Sequence, residues 1–426
     1  MDIRTLPGPE TITRRELPNG VTVLARKNFS SPSVVLTGYV LAGSLDETPE
    51  QAGLADLAAS ALLRGTVRWS FNEIYQQIES VGASLGIGSS KHVTSFQGKA
   101  LAEDLGLLLG LLSEALLHPT FPETQVERLK GEKLTGLAIR DQDTGARAGM
   151  AFDELVYPDH PYRVPDDGYP ETVGPLTSED LRAFHGRHYG PRGMAVAVVG
   201  AVEAEAAVDA VQAHLGSWTN PGQPHPSELP PVQAPQGLLR RDVPLPGKSQ
   251  CDVVLGSPGP CRADPNYLAA ALGNNILGRF GLYGRIGDAV RESAGLAYYA
   301  YSSIGGGPGP DPWQVNAGVN PANVERAVDL IRREIGRFAA RRVSTEELDE
   351  NQAHFTGRLP LQLESNEGVA GALVHLERFE LGLDYYQRYP GLVQAITRDQ
   401  ILEVARRFLD PDRLAVAVAG PVGSGG

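Results

Sequence analysis

Two periodicities of apolar and polar positions run along the chain, and each predicts a different kind of element. ELPNGVTVLARK, with Asn19-Gly20 at its turn, predicts a β-hairpin, and SVVLTGYVLAGS supplies a further β-branched run suited to a strand. After it the spacing lengthens to that of helices, over residues 52–63, 70–80, 101–117 and 123–141. ASLGIGSS and HVTSFQGKA suggest another strand pair between the second and third of these. The most apolar run, LGLLLGLLSEALL from Leu105, is short and carries Glu114, so it reads as a buried helix rather than a membrane span. Strands and helices come in runs rather than in strict alternation, which argues for an α+β fold.

A second regularity acts over a longer range. Leu176–Val202 (LTSEDLRAFHGRHYGPRGMAVAVVGAV) and Ile396–Val422 (ITRDQILEVARRFLDPDRLAVAVAGPV) align without a gap at an offset of 220 residues. Thr177 falls on Thr397, Pro191 on Pro411, Ala195 on Ala415 and Gly200 on Gly420. Each copy reads as a helix capped by Thr with an acidic residue close behind, a turn containing Pro, and a buried strand. A gapless match at about half the chain length points to duplication. Between the copies, TNPGQPHPSELPPVQAPQG (Thr219–Gly237) contains six prolines, which neither continue a helix nor pair inside a sheet. The expected organisation is therefore a domain over 1–218, a proline-rich linker over 219–237 and a homologous domain over 238–426. Each would carry an antiparallel-rich sheet with helices packed on it, the two related by a pseudo-two-fold.

Composition narrows the function classes. A length of 426 residues exceeds one ordinary core, and 42% hydrophobic with 21% charged residues is normal for a globular protein. The net charge of −13 disfavours nucleic acid and anionic membranes as partners. Cys251 and Cys261 form no CxxC pair, and MDIRTLPGPETITRREL has no apolar core of a secretory signal. These features lead to the expectation of a cytoplasmic protein.

The chemistry turns on QAGLADLAASALLRGT, from Gln51. Two histidines at i and i+4 on such a helix could chelate zinc beside a glutamate base, but the corresponding face carries Asp56 and Ser60, with Ala59 at the place of the base. The surrounding Gly53-Leu54-Ala55 and Leu62-Leu63-Arg64-Gly65-Thr66 resemble the inverted zinc motif of the pitrilysin (M16) peptidase family. HPTFPETQVERLKGEKLTGLAI from His118 is similar to that family's segment around its third zinc ligand, and there Thr135 and Gly136 stand where the family has two glutamates. YPDHPYRVPDDGYPETVGPLTSEDLRAFHGRHYGPRGMAVAVVG and the two-half repeat extend the resemblance over nearly the whole chain. An aspartate, a serine and an alanine replace neither two imidazoles nor a proton carrier. His185 and His188, at i and i+3, align with Ala405 and Phe408 of the second copy, which suggests no shared ligand pair and points to surface or capping roles, while His92, His118 and His160 read as isolated loop histidines.

A second candidate lies in GRIGDAVRESAGLAYYAYSSIGGG. A helix carrying Asp288 and Arg291 gives way through Ser293-Ala294-Gly295 to an aromatic strand, bringing a guanidinium and the phenol of Tyr298, seven residues on, towards each other. Such donors can hold a peptide carbonyl or a developing oxyanion. The plainer readings are an arginine paired with Glu292 or Asp288 and a tyrosine packed in the sheet. The resemblance implies that Arg291 and Tyr298 are the family's R/Y pair, which binds substrate backbone. Gly305-Gly306-Gly307-Pro308-Gly309-Pro310 lacks the Lys-Ser/Thr of a phosphate loop and reads as a mobile connection between strands.

Some bacterial members of the family work as two chains, one with the zinc motif and one with the R/Y pair. The resemblance thus implies a non-zinc-binding, substrate-gripping subunit that cleaves peptides together with a homologous zinc-bearing partner. The chain itself would hold no cofactor, with zinc expected in the partner, and could form a homodimer when alone. Two rivals are a catalytically inert peptide-binding or scaffold protein, comparable to the core subunits of respiratory complex III, and a hydrolase with an unrecognised site.

Overall fold

In the computed structural model, which describes residues 6–421 apart from the side chains of Leu282 and Tyr283, the two copies of the repeat fold alike. Val422, the end of the second copy, lies outside the described residues. Thr177 caps the helix Ser178–His188 and Thr397 caps Arg398–Phe408, each through a reciprocal box. The threonine hydroxyls accept from the Asp180 and Gln400 N–H groups at 3.3 and 3.2 Å, and those residues' side chains accept from the threonine N–H groups at 2.8 Å. Each helix leads to a six-residue strand, Ala195–Gly200 or Ala415–Gly420, that is buried at every position. Burial on both faces explains why these strands show no polar alternation. Gly200 and Gly420 end them at φ of 152° and 153°. A Cβ there would lie 2.3 Å from the Ser33 carbonyl oxygen and 2.6 Å from the Cys251 sulfur, so the neighbouring strand's start leaves room only for glycine.

The strands are β1 (Thr13–Glu16), β2 (Thr22–Lys27), β3 (Ser33–Val40), β4 (Ser84–Ser89), β5 (Thr94–Leu101), β6 (Ala195–Gly200), β7 (Leu239–Pro244), β8 (Cys251–Pro258), β9 (Ala297–Ile304), β10 (Pro312–Val319) and β11 (Ala415–Gly420). They form two sheets, ordered β1-β2-β6-β3-β5-β4 and β7-β11-β8-β10-β9. β6 and β11 hold equivalent places, parallel to β2 and β7 and antiparallel to β3 and β8. The remaining pairings are antiparallel. The hairpin β1–β2 turns at Asn19-Gly20, where the Gly20 N–H donates to the Leu17 carbonyl at 2.9 Å. β3 does not extend that hairpin, because β6, a strand without polar residues, takes the place between β2 and β3 and is paired on both edges.

Two compact units result, and each is discontinuous in sequence. One comprises Met1–Leu137, Pro165–Glu228 and Leu359–Arg388; the other comprises Ala138–Val164, Leu229–Arg358 and Tyr389–Gly426. In the first, the helices Leu54–Ala61, Leu105–Leu117 and Ala204–Leu215 cover one face of the sheet around a core that includes Leu36, Leu57, Phe96, Leu112, Val198 and Val211. The helix Asn366–Arg378 packs against β3 and β6 and is tied by Arg14–Glu377 (2.7 Å), Lys99–Glu367 (2.6 Å) and Asn28–Asn366 (2.8 Å). In the second unit, Tyr267–Gly278, Val324–Ala340 and Arg398–Phe408 surround a core with Val253, Leu255, Trp313, Val315, Phe338 and Val418. The helix Thr144–Val156 lies on β7, β11 and β8. The sequence halves 1–218 and 238–426 thus each lend a helix to the sheet of the other half.

The glycine-rich link between β9 and β10 is bonded to its surroundings through Gly307. The Gly307 N–H donates to the Asp311 carboxylate at 2.7 Å, and the Gly307 carbonyl accepts from the Arg262 N–H at 2.9 Å. The loop does connect two strands, as its sequence suggests, and glycine content alone does not register these bonds.

Candidate functional site

Helix Leu54–Ala61 begins at Gly53 and buries Leu54, Ala55, Leu57, Ala58, Ala59 and Ala61, so its inward face is aliphatic. Ala59 is buried in that face and Ser60 is half-buried beside it. Asp56 accepts a hydrogen bond from the ammonium of Lys133, on the helix Glu123–Arg140. Both side chains are largely covered, at 20% and 27% exposure. Thr135 turns back to its own helix, donating to the Gly131 carbonyl at 2.8 Å, and Gly136 is exposed. The first candidate site is therefore closed by an internal ion pair. Lys133 was not singled out in the sequence, because nothing local marks a lysine one turn before Gly136 as the partner of an aspartate 77 residues earlier.

Glu47 was also invisible in sequence. Its carboxylate accepts from the Gly53 N–H at 3.0 Å and from the Ala55 N–H, and so caps the start of the same helix. Burial pushes its pKa up to about 8 against the opposing pull of those two N–H groups, and the nearby Asp166 and Asp56 add to the rise. The histidine pair separates: His185 Nε2 meets the Leu116 carbonyl at 2.8 Å, whereas His188 Nδ1 lies 3.8 Å from Asp46. Burial lowers the pKa of both rings. His185 thus meets a last-turn carbonyl of the helix Leu105–Leu117, one of the capping roles expected, whereas His188 Nδ1 makes no hydrogen bond and pairs with Asp46 only when the ring is protonated. His160 is buried, and its Nδ1 accepts from the Tyr162 N–H at 3.1 Å.

In the second unit the helix Phe280–Gly287 continues as a π-helical turn, Asp288–Glu292, that carries Arg291. Bonds from Ser293 N–H to the Asp288 carbonyl (2.8 Å), Gly295 N–H to Arg291 (3.0 Å) and Leu296 N–H to Val290 (3.0 Å) fold that turn directly onto β9. Arg291 Nε reaches Glu292 at 3.3 Å, one of the plainer pairings weighed for it. Tyr298 is not packed in the sheet: it is 66% exposed. Simple alternation would set it on the buried face with Ala300 and Ser302. The β9–β10 register shifts there, with Gly318 opposite Tyr299 and Val319 opposite Ala297, so Tyr298 is the extra residue of a β-bulge. A bulge re-aims a side chain in this way.

Residues 22–142 match the family model "Insulinase (Peptidase family M16)" and residues 175–355 match "Peptidase M16 inactive domain". The chain belongs to the M16 family. An uncharacterized zinc protease of Streptomyces coelicolor is 28% identical over 423 residues, covering 97% of this chain and 91% of the relative. Human mitochondrial cytochrome b-c1 complex subunit 1 is 26% identical over 286 residues, 66% of this chain and 58% of that protein. Among solved structures, an M16 inactive domain from Pseudomonas fluorescens superposes with a TM-score of 0.87 at 26% identity, covering 97% and 99% of the two chains. The zinc implied by the M16 resemblance does not fit the residues present. Asp56 is occupied by an ammonium, Ala59 and Gly136 offer no side-chain donor, and Ser60 is a poor replacement for an imidazole. Among the described residues no group of three or more His, Cys, Asp or Glu side chains is placed to hold a metal ion. No described helix is long and apolar enough to cross a membrane.

Proposed function

We propose that this M16 chain is a substrate-gripping subunit that holds peptide backbone through Arg291 and Tyr298, while a homologous zinc-bearing chain supplies the metal, the base and the attacking water. The observation that carries the reading is the outward Tyr298, exposed by a bulge on the strand that follows directly on the Arg291 turn. A tyrosine in the core would need no such device. The internally paired Asp56 supports the same division of roles, since this helix has exchanged a metal for a salt bridge. In this reading the halves 1–218 and 238–426 are duplicated domains joined by 219–237, and the two unpaired cysteines suit the reducing cytoplasm.

The test is reconstitution. Purified chain is mixed with a zinc-bearing M16 homologue from the same genome, and peptide cleavage is followed for the mixture and for each chain alone. Cleavage that requires both supports the proposal; a zinc-bearing chain fully active by itself, with no complex on sizing, overturns it. The likeness to cytochrome b-c1 complex subunit 1 favours a second reading, an inert scaffold of the same fold. That reading requires a stable complex that cleaves no peptide.

A further inference from the structure

Tyr298 and Tyr299 are adjacent and chemically identical, yet only one of them is presented to solvent. Tyr299 lies on the face of the sheet that carries Asp252, and its row explains why it stays there. Gly318 of β10 stands opposite both Tyr299 of β9 and Asp252 of β8. Because Gly318 has no side chain, the Tyr299 ring lies across β10; a Cβ on Gly318 would come within 2.5 Å of the ring's Cε1. The Tyr299 hydroxyl thereby reaches over one strand and donates to Asp252. Asp252 is 4% exposed and also accepts from the Thr144 hydroxyl, at the first turn of Thr144–Val156, and from Gln250 Nε2 at 3.1 Å. On the other face Ala297 packs against the core. The bulge is thus pinned on both sides of Tyr298, by Ala297 in the core and by Tyr299 on Asp252.

We infer that Asp252 and Tyr299 are positioning residues, which fix the site of the bulge and so hold Tyr298 outward where a peptide can reach it. The inference rests on the proposed role of Tyr298 and deepens it: the substrate-facing tyrosine is selected by a buried carboxylate two strands away. Without the pin, the bulge is free to slide by one residue. Tyr298 then takes the position opposite Gly318, where its ring lies across β10 as that of Tyr299 does now, and the exposed phenol at 298 is lost.

The experiment labels the full chain with 3-fluorotyrosine, assigns the Tyr298 ¹⁹F resonance by Tyr298→Phe, and measures its broadening by a soluble paramagnetic agent. The unsubstituted protein should show strong broadening at Tyr298. Tyr299→Phe and Asp252→Ala should lose most of it, whereas Asp252→Asn, whose amide oxygen still accepts from Tyr299, should retain it. Circular dichroism and melting temperature identify any variant that fails to fold. Should Asp252→Ala be one, Tyr299→Phe, which removes a single oxygen atom, carries the test. Unchanged broadening in folded Tyr299→Phe overturns the inference, whatever happens to cleavage. Lost broadening with undiminished cleavage by the reconstituted pair leaves the positioning intact and instead overturns the substrate role of Tyr298.

Discussion

The two sheets share a plan and part company at their outer strands and at the helices that lead to them. In the first unit β4 pairs with β5 in unbroken register, and the helix Leu54–Ala61 turns its polar residue Asp56 to Lys133 of a neighbouring helix. In the second, β9 is interrupted by a bulge, and the preceding helical turn and strand carry Arg291, about a third exposed, and the outward Tyr298. One region pairs its helix aspartate internally; the other uses a strand irregularity to expose a phenol. A polar group already paired inside a protein has little to offer a ligand, whereas an exposed donor on a rigid strand retains its capacity. Under the proposed function, this difference marks the second unit as the one that presents a group to a ligand.

The largest effect expected from breaking this contrast is catalytic. In the reconstituted pair, Arg291→Ala and Tyr298→Phe should each lower kcat about a hundred- to thousandfold, the ~2.7–4 kcal/mol typical of losing one oxyanion donor. Melting temperature and complex formation should stay near those of the unsubstituted chain. Full activity in both variants would remove the second unit's claim to a site.

Next in size is the ion pair of the first unit. Asp56→Ala leaves the Lys133 ammonium partly covered and unpaired, and should cost about 1–3 kcal/mol in denaturant unfolding. Asp56→Ala/Lys133→Ala should cost less than the sum of the single changes. Strictly additive losses would show that the pair contributes nothing.

Glu47 gives the first unit a pH dependence at the start of the helix Leu54–Ala61. Its folded-state pKa is raised from 4.5 to about 8, so between those values the folded chain binds more protons than the unfolded one. Its contribution to stability therefore falls as pH rises across that window, by at most about 1.4 kcal/mol per pH unit. Glu47→Gln should flatten the decline; a Glu47→Gln variant with the unchanged slope would assign it to another group.

The smallest effect sharpens the comparison by testing what the units share. Thr177→Ala and Thr397→Ala each remove one member of equivalent capping boxes, and each should cost about 1 kcal/mol. A clear loss at one threonine and none at the other, measured by the same unfolding titration, would show that the duplicated units no longer use their caps alike.

Much of this was legible in the chain. The Thr-capped helices and the strands AVAVVG and AVAVAG were readable because capping and apolar runs act over a few residues, and the repeat made each copy a check on the other. That Asp56, Ala59, Ser60 and Gly136 offer no imidazole was readable for a different reason, since a missing imidazole is missing in any fold. Strand order was not readable: β6 enters between β2 and β3 from more than 150 residues further along the chain. Nor was the exchange of helices Thr144–Val156 and Asn366–Arg378 between the halves, because an apolar helix face does not specify which sheet will cover it.

At the candidate site, residue identities came from the sequence and their direction came from the structure. Residue type suggested Arg291 and Tyr298 and the family resemblance singled them out, but alternation places Tyr298 in the core, and only a bulge held across Gly318 turns it to solvent. Lys133 and Asp252 matter through partners 77 and 47 residues away, Asp56 and Tyr299. Local chemistry along the chain determined which groups this protein possesses and which it has lost. Whether each group is paired or presented was decided by packing between distant segments, because charge and hydrogen-bond energies depend on distance and burial, which a linear order does not contain.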